Sequence, residues 1–250
     1  YADRLYQLPL GVIGVAIGVV LLPDLSRKLR AGNEVGALHS QNRALELSLF
    51  LTLPSAMALM AIPAPIIHTV FEHGAFTRAD TLAVAPALLV FAAGLPAFAL
   101  TKVFQPGFYA REDTATPMRF AIISVAVNIA ASFSLSYHFG HVGIAMGTSI
   151  AAWINTLLLG ITLTRRGHFT LDERLRKRLP RIVASAFLMG GALLGASHLL
   201  AGNYAEGAGF LAALWGLALL VAGGISSYFI LAHVTGAMRL GELKSMLKRS

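Results

Sequence analysis

Apolar residues run along this chain in long blocks, without the strict alternation of a half-buried strand or the single stripe of a soluble helix. Reading those blocks between polar breaks predicts seven helices, near residues 5–22, 44–63, 83–103, 118–138, 143–163, 182–201 and 209–233. Each approaches the ~20 residues an α-helix needs to cross a bilayer, where open backbone has no water to bond. The breaks carry turn and cap chemistry: Pro23-Asp24, Pro63-Ala64-Pro65, Gly107, Gly140, Gly167 and Gly202-Asn203. Thr77 with Asp80 reads as a capping box at the start of the third helix. Thr116-Pro117 reads as an N-cap followed by Pro at the first helical position. The expected fold is an all-α integral membrane protein, a bundle of about seven transmembrane helices.

Composition agrees: 56% of residues are apolar and 13% charged, more apolar side chain than a soluble domain buries. No Cys is present, which excludes disulfides, thiolate metal sites and Cys nucleophiles. A net charge of +8 suits nucleic acid only when gathered on one soluble surface, and here the basic residues fall between apolar spans. No nucleic-acid partner is expected. Arg27, Lys28, Arg30, Arg43, Lys102, Arg111, Arg119, Arg165, Arg166, Arg174, Arg176, Lys177, Arg178, Arg181, Arg239, Lys244, Lys248 and Arg249 fall on one side of a seven-span topology, 18 of the 20 basic residues. Only Arg4 and Arg78 fall on the other. Because cytoplasmic loops retain positive charge, this chain's N-terminus is expected outside and its C-terminus in the cytoplasm. The opening on Tyr1, without a basic leader or small-residue cleavage site, reads as an internal cut of a longer protein. The expected division is a five-span unit (1–163), a basic cytoplasmic loop (164–181), an apolar, Gly-rich hairpin (182–233) and a basic cytoplasmic tail (234–250).

Candidate chemistry is densest in the first span, where Arg4, Gln7, Gly11, Gly14 and Gly18 recur at spacings of three and four and share a face. Charge within a membrane is costly and normally faces a cavity or a partner, so Arg4, with Asp3 beside it, is read as pointing into the bundle. The competing reading has Arg4 reaching to the outer headgroups. The bare glycines admit either a thin substrate or an ordinary packed helix. Ser124, Asn128 and Ser132 form a second stripe, and Thr148, Ala152 and Asn155 a third; each lines a hydrophilic cavity or bonds helices together. His68, Glu72 and His73 supply too few ligands for a metal site, so neither metal nor cofactor is expected. No Ser-His-Asp pattern, phosphate loop or paired carboxylate appears, and the chain does not read as an enzyme. Residues 104–117, with Pro106, Gly107, Tyr109, Arg111, Asp113, Thr116 and Pro117, read as a structured inner loop. It is a plain connector or a set of ion pairs that shuts the inner face in one transport state.

Three stretches carry a family likeness: Tyr1-Ala2-Asp3-Arg4-Leu5 through Gly11, Gly14 and Gly18 to Leu22-Pro23-Asp24-Leu25-Ser26; Phe71-Glu72-His73-Gly74-Ala75-Phe76-Thr77; and Pro106-Gly107-Phe108-Tyr109-Ala110 with Asp113 and Thr116-Pro117. Through them the chain resembles the C-terminal half of the MurJ (MviN) lipid II flippases of the multidrug/oligosaccharidyl-lipid/polysaccharide exporter superfamily. The resemblance implies a fourteen-span, two-lobe fold around a central cavity, of which these spans are the eighth to fourteenth. The last two would form the hairpin that grooves the lipid tail. It further implies a monomeric transporter of the bacterial inner membrane that moves lipid II, an undecaprenyl-diphosphate-linked cell-wall precursor, outward by alternating access. Arg4 matches a cavity arginine for the anionic headgroup, and Asp3 would orient it. Gln7 stands where some relatives carry an acid.

The rivals are a drug/cation antiporter or a polysaccharide-unit flippase of the same superfamily, and a structural membrane subunit that moves nothing. An antiporter wants a carboxylate at depth, and only Glu46, near a cytoplasmic end, comes close.

Overall fold

The computed structural model describes residues 1–204 and 209–237, with the side chains of residues 12, 13, 15, 16 and 18 outside the described set. Eight α-helices run in order: α1 (Ala2–Arg30), α2 (Glu34–Ala61), α3 (Pro63–Phe71), α4 (Arg78–Tyr109), α5 (Ala115–Phe139), α6 (His141–Arg165), α7 (Glu173–Leu199) and α8 (Phe210–Val234). A 3-10 turn, Ala201–Tyr204, links the last two. Six of them, α2 and α4 to α8, are long and apolar enough to cross a membrane among the described residues. Among the described residues, the basic ends of α1 and α6 and the basic start of α7 meet at one end of the bundle, while the starts of α1 and α4, with Arg4 and Arg78, lie at the other.

Several boundaries differ from the reading by apolar blocks, each for a local reason. The segment after Pro63, read as loop, is the short helix α3, for which Pro63 and Pro65 are pre-set in the first turn. The basic segment 164–181, also read as loop, is helical from Glu173 onward, because Asp172 caps it by accepting from the Leu175 amide at 2.7 Å. α5 starts at Ala115, so Thr116 is not its cap. Asp113 does that work, accepting from the Thr116 amide at 2.9 Å. The Thr77–Asp80 capping box is present as expected, closed in both directions.

α4 is the axis of the bundle. Its small and aliphatic residues Leu88, Ala92, Leu95, Ala97, Ala99 and Val103 are fully buried against α1, α2 and α6. Polar side chains stitch it to α6: Ser149 Oγ donates to Val90 O at 2.8 Å, Trp153 Nε1 to Ala93 O at 3.0 Å and Thr156 Oγ1 to Ala97 O at 2.7 Å. With little hydrophobic drive between helices in lipid, such bonds and close approaches carry much of the association. α5 leans almost wholly on α6. The two are joined by one residue, Gly140, at φ +57°, which a side chain rarely adopts. Above that turn a Cβ on Gly143 would overlap the Leu135 backbone, and one on Gly147 would overlap Ser132.

Candidate functional site

At the end of α1 opposite the basic face, Asp3, Arg4, Gln7 and Gly11 are exposed and Gly14 is half-buried, while the side-chain surroundings of Gly18 lie outside the described residues. Tyr6 anchors this end: it is buried and stacked on Phe91 and Phe98 of α4, with centroids 5.0 and 5.6 Å away. Gln7 Nε2 donates to Asp3 Oδ2, one helical turn back. Asp3 therefore holds Gln7 and does not orient Arg4, since adjacent helix positions point about 100° apart. The Arg4 guanidinium makes no hydrogen bond or ion pair among the described residues. A Cβ on Gly11 or Gly14 would meet nothing within 4 Å, so neither glycine serves close packing inside this chain. Close packing is served instead by Gly107 and by others, Gly94, Gly143, Gly147 and Gly190 among them, that the sequence reading did not single out.

On the same two turns of α1, Leu5, Leu8 and Pro9 form one wall of an apolar groove of about 550 Å³. Phe50, Pro54 and Leu59 of α2 and Leu193, Leu220 and Tyr228 of the α7–α8 hairpin complete it. Ser55 is the one hydroxyl besides Tyr228 on its walls, and its Oγ is already given to Leu51 O at 2.8 Å. The groove is thus a lipophilic slot, and the turns of α1 that wall it also carry Arg4.

At the basic end, the expected inner loop is tighter than a loop. Pro106, Gly107 and Tyr109 belong to the last turns of α4, with Pro106 and Gly107 buried and Tyr109 exposed. A Pro late in a helix reads as a break in sequence, yet here Gly107 lets Gln41 and Leu163 press on the backbone. Arg111 Nη1 donates to Gly107 O at 2.8 Å, capping α4. Arg166 Nη1 meets Asp113 Oδ2 at 2.6 Å and Nη2 meets Thr116 Oγ1 at 3.1 Å, with the guanidinium 5.7 Å from the Phe108 ring. Pro117 is buried beside them. The motif thus joins the α4–α5 connection to the end of α6. The Thr116 hydroxyl, the Arg166 guanidinium and the Thr116 amide hold the Asp113 carboxyl down at about 2. A carboxyl depressed on folding adds stability above its unfolded value near ~4, lost as pH falls through the folded one. Asp113→Asn is accordingly expected to lower the thermal midpoint at neutral pH, with the gap to wild type closing between about pH 4 and pH 2. Parallel melts across that range check it.

A further cluster was not anticipated. Glu46 on α2, 7% exposed in its side chain, receives Arg178 Nη1 at 2.6 Å and Arg174 Nε at 3.3 Å from α7, and also pairs with Arg43. Arg43 bridges on to Asp172. Asn42 accepts from the Asp172 amide at 3.1 Å and donates to Thr170 O at 2.9 Å. The spacing of Arg43 to Glu46 and of Arg174 to Arg178 was visible as one-turn pairs; their union across α2 and α7 was not.

The remaining candidates resolve into packing. Ser124 Oγ donates to Ala151 O at 2.8 Å, Ser132 Oγ to Asn128 Oδ1 at 2.9 Å and Thr148 Oγ1 to Ile144 O at 3.0 Å. Asn155 Oδ1 is buried with no hydrogen-bond partner. His68 Nδ1 lies 2.8 Å from Glu72 Oε2, and Thr81 donates to the same oxygen.

A model of the family described as lipid II flippase MurJ matches residues 1–214. The chain belongs to the MurJ family. Two MurJ relatives, each named a probable lipid II flippase, come from Rhizobium tropici and Rhizobium meliloti. They are 44% and 45% identical over the whole of this chain, which covers 47% and 46% of their lengths. A third, from Vibrio cholerae, is 34% identical over 98% of this chain and 46% of its own. The chain therefore spans about half the length of the MurJ relatives it matches. A solved MurJ, titled an inward closed conformation, superposes with a TM-score of 0.75 at 29% identity, over 94% of this chain and 45% of that one. With its six candidate spans, this member of the MurJ family is a multi-pass membrane protein.

Proposed function

We propose that the full-length protein containing this chain is a lipid II flippase of the bacterial inner membrane, and that this chain supplies its second lobe and its lipid-tail hairpin. One observation carries the reading: Arg4, exposed and unpaired, stands on the same turns of α1 whose Leu5, Leu8 and Pro9 wall the apolar groove. That juxtaposition fits one chemical class, an amphiphile with a long apolar chain and an anionic head. The chain lies in the groove; the diphosphate meets a guanidinium whose planar fork suits phosphate oxygens. No bond is made or broken, and nothing here requires an enzyme.

By the excess of Lys and Arg at one end, that end is cytoplasmic and the Arg4 end faces outward. The cargo then crosses from the basic end toward Arg4, as the full-length monomer alternates between open faces. The antiporter reading loses its carboxylate, because Glu46 is engaged by three arginines. The structural-subunit reading is disfavoured by Arg4, whose guanidinium has no partner among the described residues. A polysaccharide-unit flippase differs only in its headgroup, and the test below separates it.

Cells depleted of their own lipid II flippase are complemented with the full-length gene, and lipid II reaching the outer leaflet is measured. Restored translocation and growth is the expected result. Failure at verified membrane expression, with rescue instead of a strain lacking a polysaccharide-unit flippase, overturns the lipid II assignment.

A further inference from the structure

Pro54 in α2 has no N–H to offer the carbonyl one turn back, that of Phe50. Inside a membrane such an open carbonyl finds no water and must be met by protein. The hairpin meets it. Tyr228 of α8 donates its hydroxyl to Phe50 O at 2.8 Å, and both residues are buried, 4% and 2% exposed. Thr52 and Ser55 also bond carbonyls near the break, Ser48 O at 2.7 Å and Leu51 O at 2.8 Å, but they do so within α2. Among the described residues the Tyr228 bond is the one polar link between α2 and α8. Phe50, Pro54 and Tyr228 all line the apolar groove, and the Phe50 and Tyr228 rings lie 5.1 Å apart.

We propose that Tyr228 is a positioning residue for the apolar tail: by filling the carbonyl that Pro54 leaves open, it fixes the separation of α2 and α8 and hence the width of the groove. The inference rests on the groove being the tail site. Without the hydroxyl, Phe50 O is left to face the tail or to draw water into the slot, and either outcome weakens an apolar ligand. The headgroup contact at Arg4 is untouched.

Pro54→Ala gives a test that ordinary packing would not pass, since it returns an N–H to the same carbonyl. The full-length protein is placed in lipid nanodiscs and its affinity for undecaprenyl diphosphate is measured in wild type, Tyr228→Phe, Pro54→Ala and the double variant. Tyr228→Phe is expected to weaken binding about fivefold in the wild-type background, the scale of one net hydrogen bond. It should have almost no effect in the Pro54→Ala background. Equal losses in both backgrounds, or no loss in either, overturn the role of Tyr228 while leaving the tail site standing. Wild type that fails to bind undecaprenyl diphosphate overturns the tail site and this inference together.

Discussion

Arg4→Ala in the full-length protein is expected to cut lipid II translocation by roughly tenfold or more, and Arg4→Lys to recover little of it. Charge-assisted hydrogen bonds contribute about 1.5–3 kcal/mol, and about 1.4 kcal/mol is a factor of ten in affinity. The loss should be near the upper part of that range, because the guanidinium has no partner to relinquish among the described residues before it takes the substrate. Lysine keeps the charge but replaces a fixed two-pronged donor by a strongly hydrated point. Stability should stay level, since the Arg4 side chain bonds nothing among the described residues. Translocation is read in depleted cells at matched membrane expression. Full activity in both variants would remove Arg4 from the substrate path; equal rescue by lysine would leave charge, without fork geometry, as its contribution.

The second large effect is on folding. Glu46→Ala is expected to destabilise the protein by about 3–5 kcal/mol, the scale for breaking a buried ion pair by deleting one partner. Glu46 is nearly enclosed, and its removal takes away the carboxylate that Arg43, Arg174 and Arg178 share. Exposed pairs behave differently. Glu173→Gln breaks the Lys177–Glu173 contact, where both side chains are more than half exposed, and should move the midpoint hardly at all. Thermal melts of the two variants, with limited proteolysis of the 166–172 connection, give the comparison. A Glu46→Ala midpoint as close to wild type as that of Glu173→Gln would show that α7 docks through its apolar contacts alone.

Much of this arrangement was legible in sequence, and the parts that were not share a cause. The long helices announce themselves because a membrane span must be apolar over its full length. The Thr77–Asp80 box is equally plain, since both partners lie within one turn. Hydropathy hides the first two turns of α7, where Arg174, Arg176, Lys177 and Arg178 mask a well-capped helix. It also hides α3, too short to span anything and punctuated by prolines. Residues 104–109 were read as part of an inner loop, whereas they are the last turns of α4, where Gly107 admits a close approach by Gln41 and Leu163. In the candidate site, spacing put Arg4 and Gln7 on one face and both stand exposed there, while the bond from Gln7 to Asp3 was not read, since it joins residues one turn apart and not neighbours in sequence. The groove was expected from family likeness; its walls come from α1, α2, α7 and α8, and no periodicity within one helix states that.

The Glu46 cluster also sets an order of events at the ribosome. Arg174 and Arg178 follow Glu46 by 128 and 132 residues. At roughly 5–20 residues per second, on the order of ten seconds pass between the synthesis of the acid and that of its α7 partners. Through that interval Arg43, one turn away on α2, is the partner already made. The nascent unit of α1 to α6 therefore waits with a provisional intrahelical pair, and the arrival of α7 completes the contact that closes the hairpin onto it.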